Sequence, residues 1–327
     1  MMGSRRVTLA AGLAMLLLGC ERAPSPAKSD SENRDVSRVA EGHAPSTLHD
    51  WVLNPSIAED ERGVKSPRLL SAAPNVTEIC CALGLADCLI GRTRYCTYPP
   101  SIQAVRSIGA LNDLNVEVLL ELKPDMILVA GTSRAQTDRL SALNLAFVPL
   151  PDVSLDDLYR AIERVGTLTH RTQTAEWLVV GVRADIEAVA ARFAAGPPVR
   201  VLLVTAPLPD PPTQADAAGP GTFYDDLLRR GGHVNVVGAG GRPFTPLSLE
   251  FVLQADPDVI IELAPDHAAR PGGDADARRV WAKLGPLKAV ARQRVHVLVG
   301  PQHFILGPRV AQTFEALCET IVGDSHE

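Results

Sequence analysis

Several absences narrow what this chain can do before any motif is read. Basic charge is not in excess, with 32 Lys and Arg against 38 Asp and Glu and a formal net charge of −6. No basic stripe with interleaved aromatics occurs, so the electrostatic footprint of a nucleic-acid partner is missing. After the first twenty positions no apolar run approaches the roughly twenty residues of a membrane-spanning helix. HExxH, GxSxG and GxxxxGK are all absent, and no Asp or Glu pair stands out as an acid/base couple. Gly238-Ala239-Gly240-Gly241 imitates a dinucleotide turn, but Pro243 stands where the third glycine belongs, and a plain turn is expected. Tryptophan is scarce, with Trp51, Trp177 and Trp281 the three in the chain.

The cysteines lack the paired CxxC spacing of a zinc site, and no nearby histidine completes one. Apart from Cys20 they are Cys80, Cys81, Cys88, Cys96 and Cys318. An exported chain is permitted disulfides. One local disulfide plus buried thiols is expected, with the connectivity open.

What is present begins with an address. Arg5 and Arg6 precede an apolar run from Leu9 to Leu18, too short to span a bilayer, which closes on Leu17-Leu18-Gly19-Cys20. Charge, then a short apolar run, then small residues is the order of a signal peptide. A cysteine directly after the small residue resembles a lipobox, so residues 1–20 are expected to be a lipoprotein signal peptide with Cys20 lipidated. Ser4-Arg5-Arg6 faintly resembles a twin-arginine signal, although Thr8 stands where an aromatic is preferred. Residues 21–67 are rich in Ser, Pro, Glu, Asp and Lys. Such a segment cannot bury enough surface to offset its ordering entropy and reads as a disordered tether, with Trp51 and Val52 docking locally at most.

Roughly 260 residues remain, enough for one large domain or two lobes with real cores. Within them one pattern is stated twice. Glu117 opens an apolar helical turn that Pro124-Asp125 breaks before Met126-Ile127-Leu128, and Glu250 does so before Pro257-Asp258 and Val259-Ile260-Ile261. Proline cannot continue a helix and pushes its predecessor toward extended geometry, and the run after it reads as a buried parallel strand. Strands are expected at Arg68–Ser71, Leu89–Arg92, Met126–Ala130 and Ala146–Leu150, then at Arg200–Thr205, Asp258–Leu263 and Val295–Val299. Helices are expected at Thr77–Leu83, Val116–Leu122, Arg134–Leu143 and Ser154–Leu168. Further helices follow at Phe223–Arg230, Leu247–Gln254, Ala277–Leu284 and Val310–Ile321. Alternation of this kind predicts α/β lobes with parallel sheets, at 68–170 and 197–327. The continuous pattern Thr172–Ala194 predicts one helix between them, within 171–196 and about 35 Å long. A rigid connector of this sort predicts small lobe motions.

The segment Ser71-Ala72-Ala73-Pro74-Asn75-Val76-Thr77-Glu78, continued by Leu83-Gly84-Leu85 and by Gly91-Arg92-Thr93-Arg94-Tyr95-Cys96-Thr97-Tyr98-Pro99-Pro100, is the most specific in the chain. Gly109, Gly219-Pro220-Gly221-Thr222-Phe223 and Gly307-Pro308-Arg309 agree with it. Together these resemble the periplasmic solute-binding proteins of ABC importers for cobalamin, ferric siderophores and haem, over about Arg68 to Val322. The resemblance implies two Rossmann-like lobes joined by a single backbone helix, the class III periplasmic binding architecture. It implies a receptor, not an enzyme, that captures a metal chelate between the lobes and delivers it to a permease dimer with its ATPase. Glu117 and Glu250 would then dock on the permease. Either alone is equally a helix-start glutamate favoured by the macrodipole, worth about 0.3–1 kcal/mol. Tyr95 matches a position where an aromatic packs on the ligand. From the second lobe Phe223, Tyr224, Phe244, His303 and Phe304 are ligand-binding candidates.

Two departures bear on the ligand. Tryptophans offered to a corrin by cobalamin receptors would fall at Ala110-Leu111-Asn112 and Gly131-Thr132-Ser133-Arg134, and neither stretch has one. The second-lobe cysteine that would partner Cys318 is missing near Gly231-Gly232. The Tyr95 loop looks most like the cobalamin branch, with ferric siderophore or haem the alternatives. His170, His233, His267, His296 and His303 are scattered singly, which argues against a receptor for bare zinc or manganese. No resident cofactor or protein-bound metal is expected. The expected state is a monomer, lipid-anchored outside the cytoplasm and touching the membrane only through that anchor. An anchored enzyme of unknown reaction is the remoter alternative.

Overall fold

A computed structural model describes residues 67–110, 113–131, 138, 140–194 and 196–323. The expected signal peptide with Cys20, Trp51 and the tether apart from Pro67 lie outside these described residues, as does half of the helix expected at Arg134–Leu143.

The first lobe is built on four short strands, β1 (Leu69–Ser71), β2 (Leu89–Arg92), β5 (Met126–Ala130) and β6 (Phe147–Leu150). They lie in the order β2-β1-β5-β6, every pair parallel. The apolar runs of the central strands β1 and β5 are buried on both faces, as a parallel sheet covered by helices requires. Between them α1 (Pro74–Ala82) starts on a proline, three residues earlier than the pattern predicted. Pro74 fits there because the first helical N–H has no partner to lose. A two-residue hairpin, β3 (Gly109–Ala110) with β4 (Asp113–Leu114), leads into α2 (Val116–Leu122).

Two helices lead out of this lobe. α3 (Leu155–Leu168) opens with a capping box, in which Ser154 Oγ accepts from the Asp157 N–H and Asp157 Oδ2 accepts from the Ser154 N–H. α4 (Thr172–Phe193) is the long connector, 22 residues without a break. It buries Leu178, Val182 and Ile186 at helical spacing.

The second lobe contains β7 (Arg200–Val204), β8 (Ala215–Ala218), α5 (Phe223–Arg230), β9 (Val234–Asn235) and β10 (Phe244–Leu247). It continues with α6 (Leu249–Ala255), β11 (Val259–Ala264), α7 (Gly273–Trp281), α8 (Lys288–Ala291), β12 (Val295–Val299) and α9 (Val310–Val322). Strands β9, β7, β11 and β12 are parallel neighbours in that order, which repeats β2-β1-β5-β6 position for position. The expected parallel sheets are therefore present, with one addition. β8 pairs antiparallel with both β7 and β10 and extends the second sheet. Gly219, just after β8, makes this close approach possible, since a Cβ there would lie 2.0 Å from the Arg242 carbonyl oxygen.

The duplication extends to atoms. Arg68 opens β1, donates its backbone N–H to Asp125 Oδ2 (2.8 Å) and caps the end of α2 through Nη2 to the Leu122 carbonyl (2.7 Å). Arg200 opens β7, donates its N–H to Asp258 Oδ2 (3.2 Å) and caps α6 through Nη2 to the Ala255 carbonyl (2.8 Å). Lys123 and Asp256 end the two helices in the left-handed region, at φ 46° and 41°.

The main apolar core runs from the first sheet through α1, α3 and α4 into α5 and α9. A separate core fills the far side of the second sheet around Trp281. Glu262, fully buried on β11, organises that side. It accepts from Arg270 Nε and Nη2 (both 2.9 Å), Trp281 Nε1 (2.7 Å) and the Leu208 N–H (2.9 Å). Burial raises its pKa, opposed by the Leu208 N–H, the Arg270 charge and the Trp281 indole.

The expected local disulfide is corrected. Cys80, Cys81, Cys88, Cys96 and Cys318 form no disulfide among the described residues. Cys80, Cys81, Cys96 and Cys318 are buried, behaving as small apolar residues. Among the described residues no helix is long and apolar enough to cross a membrane.

Replacing Glu262 with Gln takes from Arg270 its buried counterion and leaves it only the partly exposed Asp276, 3.1 Å from Nη1, and should cost up to about 3–5 kcal/mol in urea unfolding. Glu262→Met combined with Arg270→Met should recover most of that loss. A cost under about 1 kcal/mol for Glu262→Gln would show that the pair does not hold the lobe.

Candidate functional site

Parallel α/β sheets place ligand sites beyond the carboxyl ends of their strands, and here both sheets do so toward one another. The chain leaving β1 supplies Ala73, Pro74 and Asn75, that leaving β2 supplies Arg94, Tyr95 and Thr97, and that leaving β6 supplies Pro151 and Asp152. Opposite them stand Thr205 after β7, Pro265 after β11, and Pro301, Phe304 and Ile305 after β12. The cavity between them measures about 1340 Å³, above the 300–1,000 Å³ usual for small-molecule sites.

Five of the six expected ligand-binding residues line it: Tyr95, Phe223, Tyr224, Phe244 and Phe304. Tyr95 is 57% exposed and Phe244 49% exposed, so two large rings from opposite lobes stand uncovered at the cavity. The Arg94 guanidinium lies 5.1 Å from the centre of the Tyr95 ring and donates to its hydroxyl at 3.1 Å. Phe223 and Tyr224 are buried, with ring centroids 3.8 Å apart. Tyr224 donates its hydroxyl to the His303 carbonyl at 2.6 Å, so these two residues form fixed wall.

His303 is placed elsewhere. Its ring is buried behind the wall, with Nδ1 3.4 Å from Thr313 Oγ1 and Nε2 3.3 Å from Gln302 Nε2, and it does not line the cavity. Its short helical turn, Pro301–Phe304, presents Phe304 instead. Among the described residues no group of three or more His, Cys, Asp or Glu is arranged to hold a metal ion.

Sequence reading missed the antiparallel addition, which brings Asp216, Ala217, Thr245 and Pro246 to the cavity along with Phe244. The alternation along Phe244–Leu247 is short and carries a proline, which hid its strand character. Asp152 was missed as well. Burial raises its pKa, and the neighbouring Asp157 charge adds to the rise. For Asp157 burial pulls upward too, but Arg160 and the N–H groups of Ser154 and Val153 outweigh it and hold the carboxyl low. Among the described residues the charged lining is therefore Asp152, Asp157 and Asp216 against Arg94.

Contacts tie the two walls at the back. Glu78 on α1 is buried and bonded by Arg309 through Nε (3.0 Å) and Nη2. The same guanidinium stacks over the Tyr98 ring at 3.6 Å. Burial raises the Glu78 pKa, and Arg309 resists that rise. The Phe223 N–H donates to the Val153 carbonyl (2.7 Å), and the Leu155 N–H donates to Asp226 Oδ2 (3.2 Å).

Glu117 and Glu250 occupy the same place in their repeats. Asn115 caps α2 by accepting from the Val118 N–H, and Ser248 caps α6 by accepting from the Phe251 N–H. Each glutamate follows two residues after its cap, and both are exposed. Neither has an ion-pair partner among the described residues. Each helix ends where its strand begins, so it runs back along the sheet and starts near the carboxyl edge that borders the cavity.

Comparison with known proteins places this geometry. The family model described as periplasmic binding protein matches residues 70–297. The uncharacterized ABC transporter substrate-binding lipoprotein YvrC of Bacillus subtilis is 27% identical, over 95% of each chain. A vitamin B12-binding protein of Vibrio cholerae is 25% identical over 77% of this chain and 87% of its own. Among solved structures, the apo periplasmic heme-binding protein RhuT of Roseiflexus sp. RS-1 superposes with a TM-score of 0.66 and 26% identity, over 80% of this chain and all of that one.

The placement of His303 has a pH consequence. Burial lowers its pKa below 6.5, and that of His233 is lowered by burial and then by Arg294. Below pH 6.5 the unfolded chain takes up protons that the folded chain refuses, so stability is complete above that pH and falls as pH drops. Each histidine contributes a slope of at most about 1.4 kcal/mol per pH unit. Urea unfolding from pH 7 to pH 5 should show the fall, and His303→Gln should make it shallower. An unchanged slope in His303→Gln would contradict a neutral buried ring.

Proposed function

Because this chain belongs to the periplasmic binding protein family, we propose that it is the substrate-binding lipoprotein of an ABC importer for a bulky metal chelate. The carrying observation is the large cavity walled by both lobes, with the uncovered rings of Tyr95 and Phe244 on opposite sides. Flat apolar rings facing a wide gap suit the faces of a macrocycle. Its relatives support transport as the context, one being an ABC transporter substrate-binding lipoprotein and others binding vitamin B12 or heme. We assign Tyr95, Phe223, Tyr224, Phe244 and Phe304 to the ligand wall, with His303 behind it.

Among chelates the lining favours cobalamin. Haem brings two carboxylates of its own, which would meet Asp152, Asp157 and Asp216, with Arg94 the lining cation among the described residues. A corrin rim of neutral amides offers N–H donors, which those carboxylates accept. Like charges facing one another across a poorly solvated gap are costly. Ferric siderophore or haem remains the alternative on the same fold.

In this reading Cys20 carries the lipid that holds the receptor on the outer side of a bacterial membrane, and residues 21–67 are its tether. The loaded monomer presents Glu117 and Glu250 to a permease dimer, and ATP hydrolysis elsewhere drives release. Nothing in the receptor turns a substrate over.

Purified protein mixed with cyanocobalamin, haemin or ferrichrome and passed over a sizing column should retain the visible absorbance of cyanocobalamin. Tyr95→Ala with Phe244→Ala should weaken that binding by about tenfold or more, since each ring contributes about 1.5–3 kcal/mol when buried. Retention of haemin alone would replace cobalamin by haem, and retention of none would remove the chelate reading.

Glu117→Arg combined with Glu250→Arg should abolish uptake in cells while leaving the affinity in solution unchanged. Equal loss of both would show that the glutamates serve the ligand site instead.

A further inference from the structure

The duplicated helices share more than a glutamate. Leu120 stands three positions after Glu117, and Leu253 stands three positions after Glu250. Both leucines are uncovered, 49% and 38% exposed, while the residues before them, Leu119 and Val252, are completely buried. Each helix therefore presses one apolar residue into the lobe and turns the next outward. Residues three apart on a helix are surface neighbours, so each outward leucine adjoins its glutamate.

A single exposed leucine needs no explanation. Two at equivalent positions of two otherwise diverged helices are a different observation, because most neighbouring pairs are not matched: Val118 answers Phe251 and Glu121 answers Gln254. The charges nearby sharpen the contrast. Glu121 is paired with Arg106, and Asp256 with Lys288. Glu117 and Glu250, the charges beside the leucines, have no ion-pair partner among the described residues.

We infer that Leu120 and Leu253 are the apolar half of a duplicated docking surface, each completing a glutamate–leucine pair. The partner that fits is a two-fold-symmetric membrane protein offering, at each contact, a basic side chain beside an apolar socket. This rests on the transport reading and adds to it a contact that the glutamates do not supply. An exposed ion pair alone contributes only about 0–1 kcal/mol, because water screens it. A leucine seated next to it excludes that water, and such shielding is what lets a charged contact count in an interface. Repetition on both lobes sets the orientation as well, since a one-site contact would leave the receptor free to swivel.

A photo-crosslinking residue, p-benzoylphenylalanine, placed at 117, 120, 250 or 253 in the full-length protein in intact cells tests this. Position 180, occupied by the exposed Val180 of α4, is the control. The expected result is capture of one and the same multi-spanning membrane protein from 120 and 253, and not from 180. With that protein purified, Leu120→Ser with Leu253→Ser should weaken receptor binding by about tenfold while the salt dependence persists. Glu117→Arg with Glu250→Arg should remove binding. Capture from 117 and 250 without 120 and 253 would overturn the leucine assignment and leave the transport reading standing. Capture of different proteins, of a second copy of this chain, or of a water-soluble protein from 120 and 253 would overturn the two-fold partner. Capture of no membrane protein from any of the four would overturn both.

Discussion

Each lobe depends on one turn. A short helix ends on a residue in the left-handed region, proline follows and forbids another helical step, and aspartate then accepts the backbone N–H of the arginine that opens the neighbouring strand. The same arginine reaches back to the last carbonyls of the helix. Two strands and a helix are thereby fixed in register by a single residue pair. Strand register in a sheet buried on both faces must be set somewhere other than by an apolar and polar alternation. Here it is set at Arg68–Asp125 and again at Arg200–Asp258. Because the device is used twice, the two sheets carry equivalent parts at equivalent heights, and their carboxyl edges can face across one gap.

That device explains what the sequence revealed. Pro124-Asp125 and Pro257-Asp258 are visible as letters, so α2, β5 and β11 were legible to within a residue or two. The connector α4 was legible because its period is long and unbroken. β8 and β10 were not, since Ala215–Ala218 is small and weakly apolar and Phe244–Leu247 contains Pro246. Their strand character comes from pairing with each other, a non-local property that no window of sequence contains. The thiols were misread for a related reason. Export permits disulfides without requiring them, and four of the five described cysteines are simply buried.

The site was legible in its aromatics and illegible in its charges. Tyr95 and Phe244 flank recognisable turns, and the Phe223-Tyr224 pair follows a glycine-rich helix start, so their arrival at the cavity follows from the fold. His303 sits at the end of the last strand where ligands bind, yet Phe304 takes the wall position and the imidazole turns to Thr313. The side chosen by adjacent residues in a short helical turn depends on packing against α9, which sequence does not display. Asp152 and Asp216 were invisible because an aspartate in a loop is ordinarily a solvated one. Their role emerges only when β6 and β8 bring them to the same gap.

The contacts behind the cavity constrain how such a receptor can signal that it is loaded. Glu78–Arg309 is buried, Tyr98 stacks on the same guanidinium, and the Phe223 N–H to Val153 carbonyl bond crosses between the walls. Wide opening would break the Glu78–Arg309 pair and unstack Tyr98 from it. The 22 residues of α4 offer no hinge to absorb the rotation. In the proposed role the lobe movement is small, as an unbroken connector predicts. On the proposed docking, a partner gripping Glu117 with Leu120 on one lobe and Glu250 with Leu253 on the other would sense the angle between the sheets. On that proposal, the spacing of two matched surface contacts would carry the information that a closing jaw carries in a looser molecule.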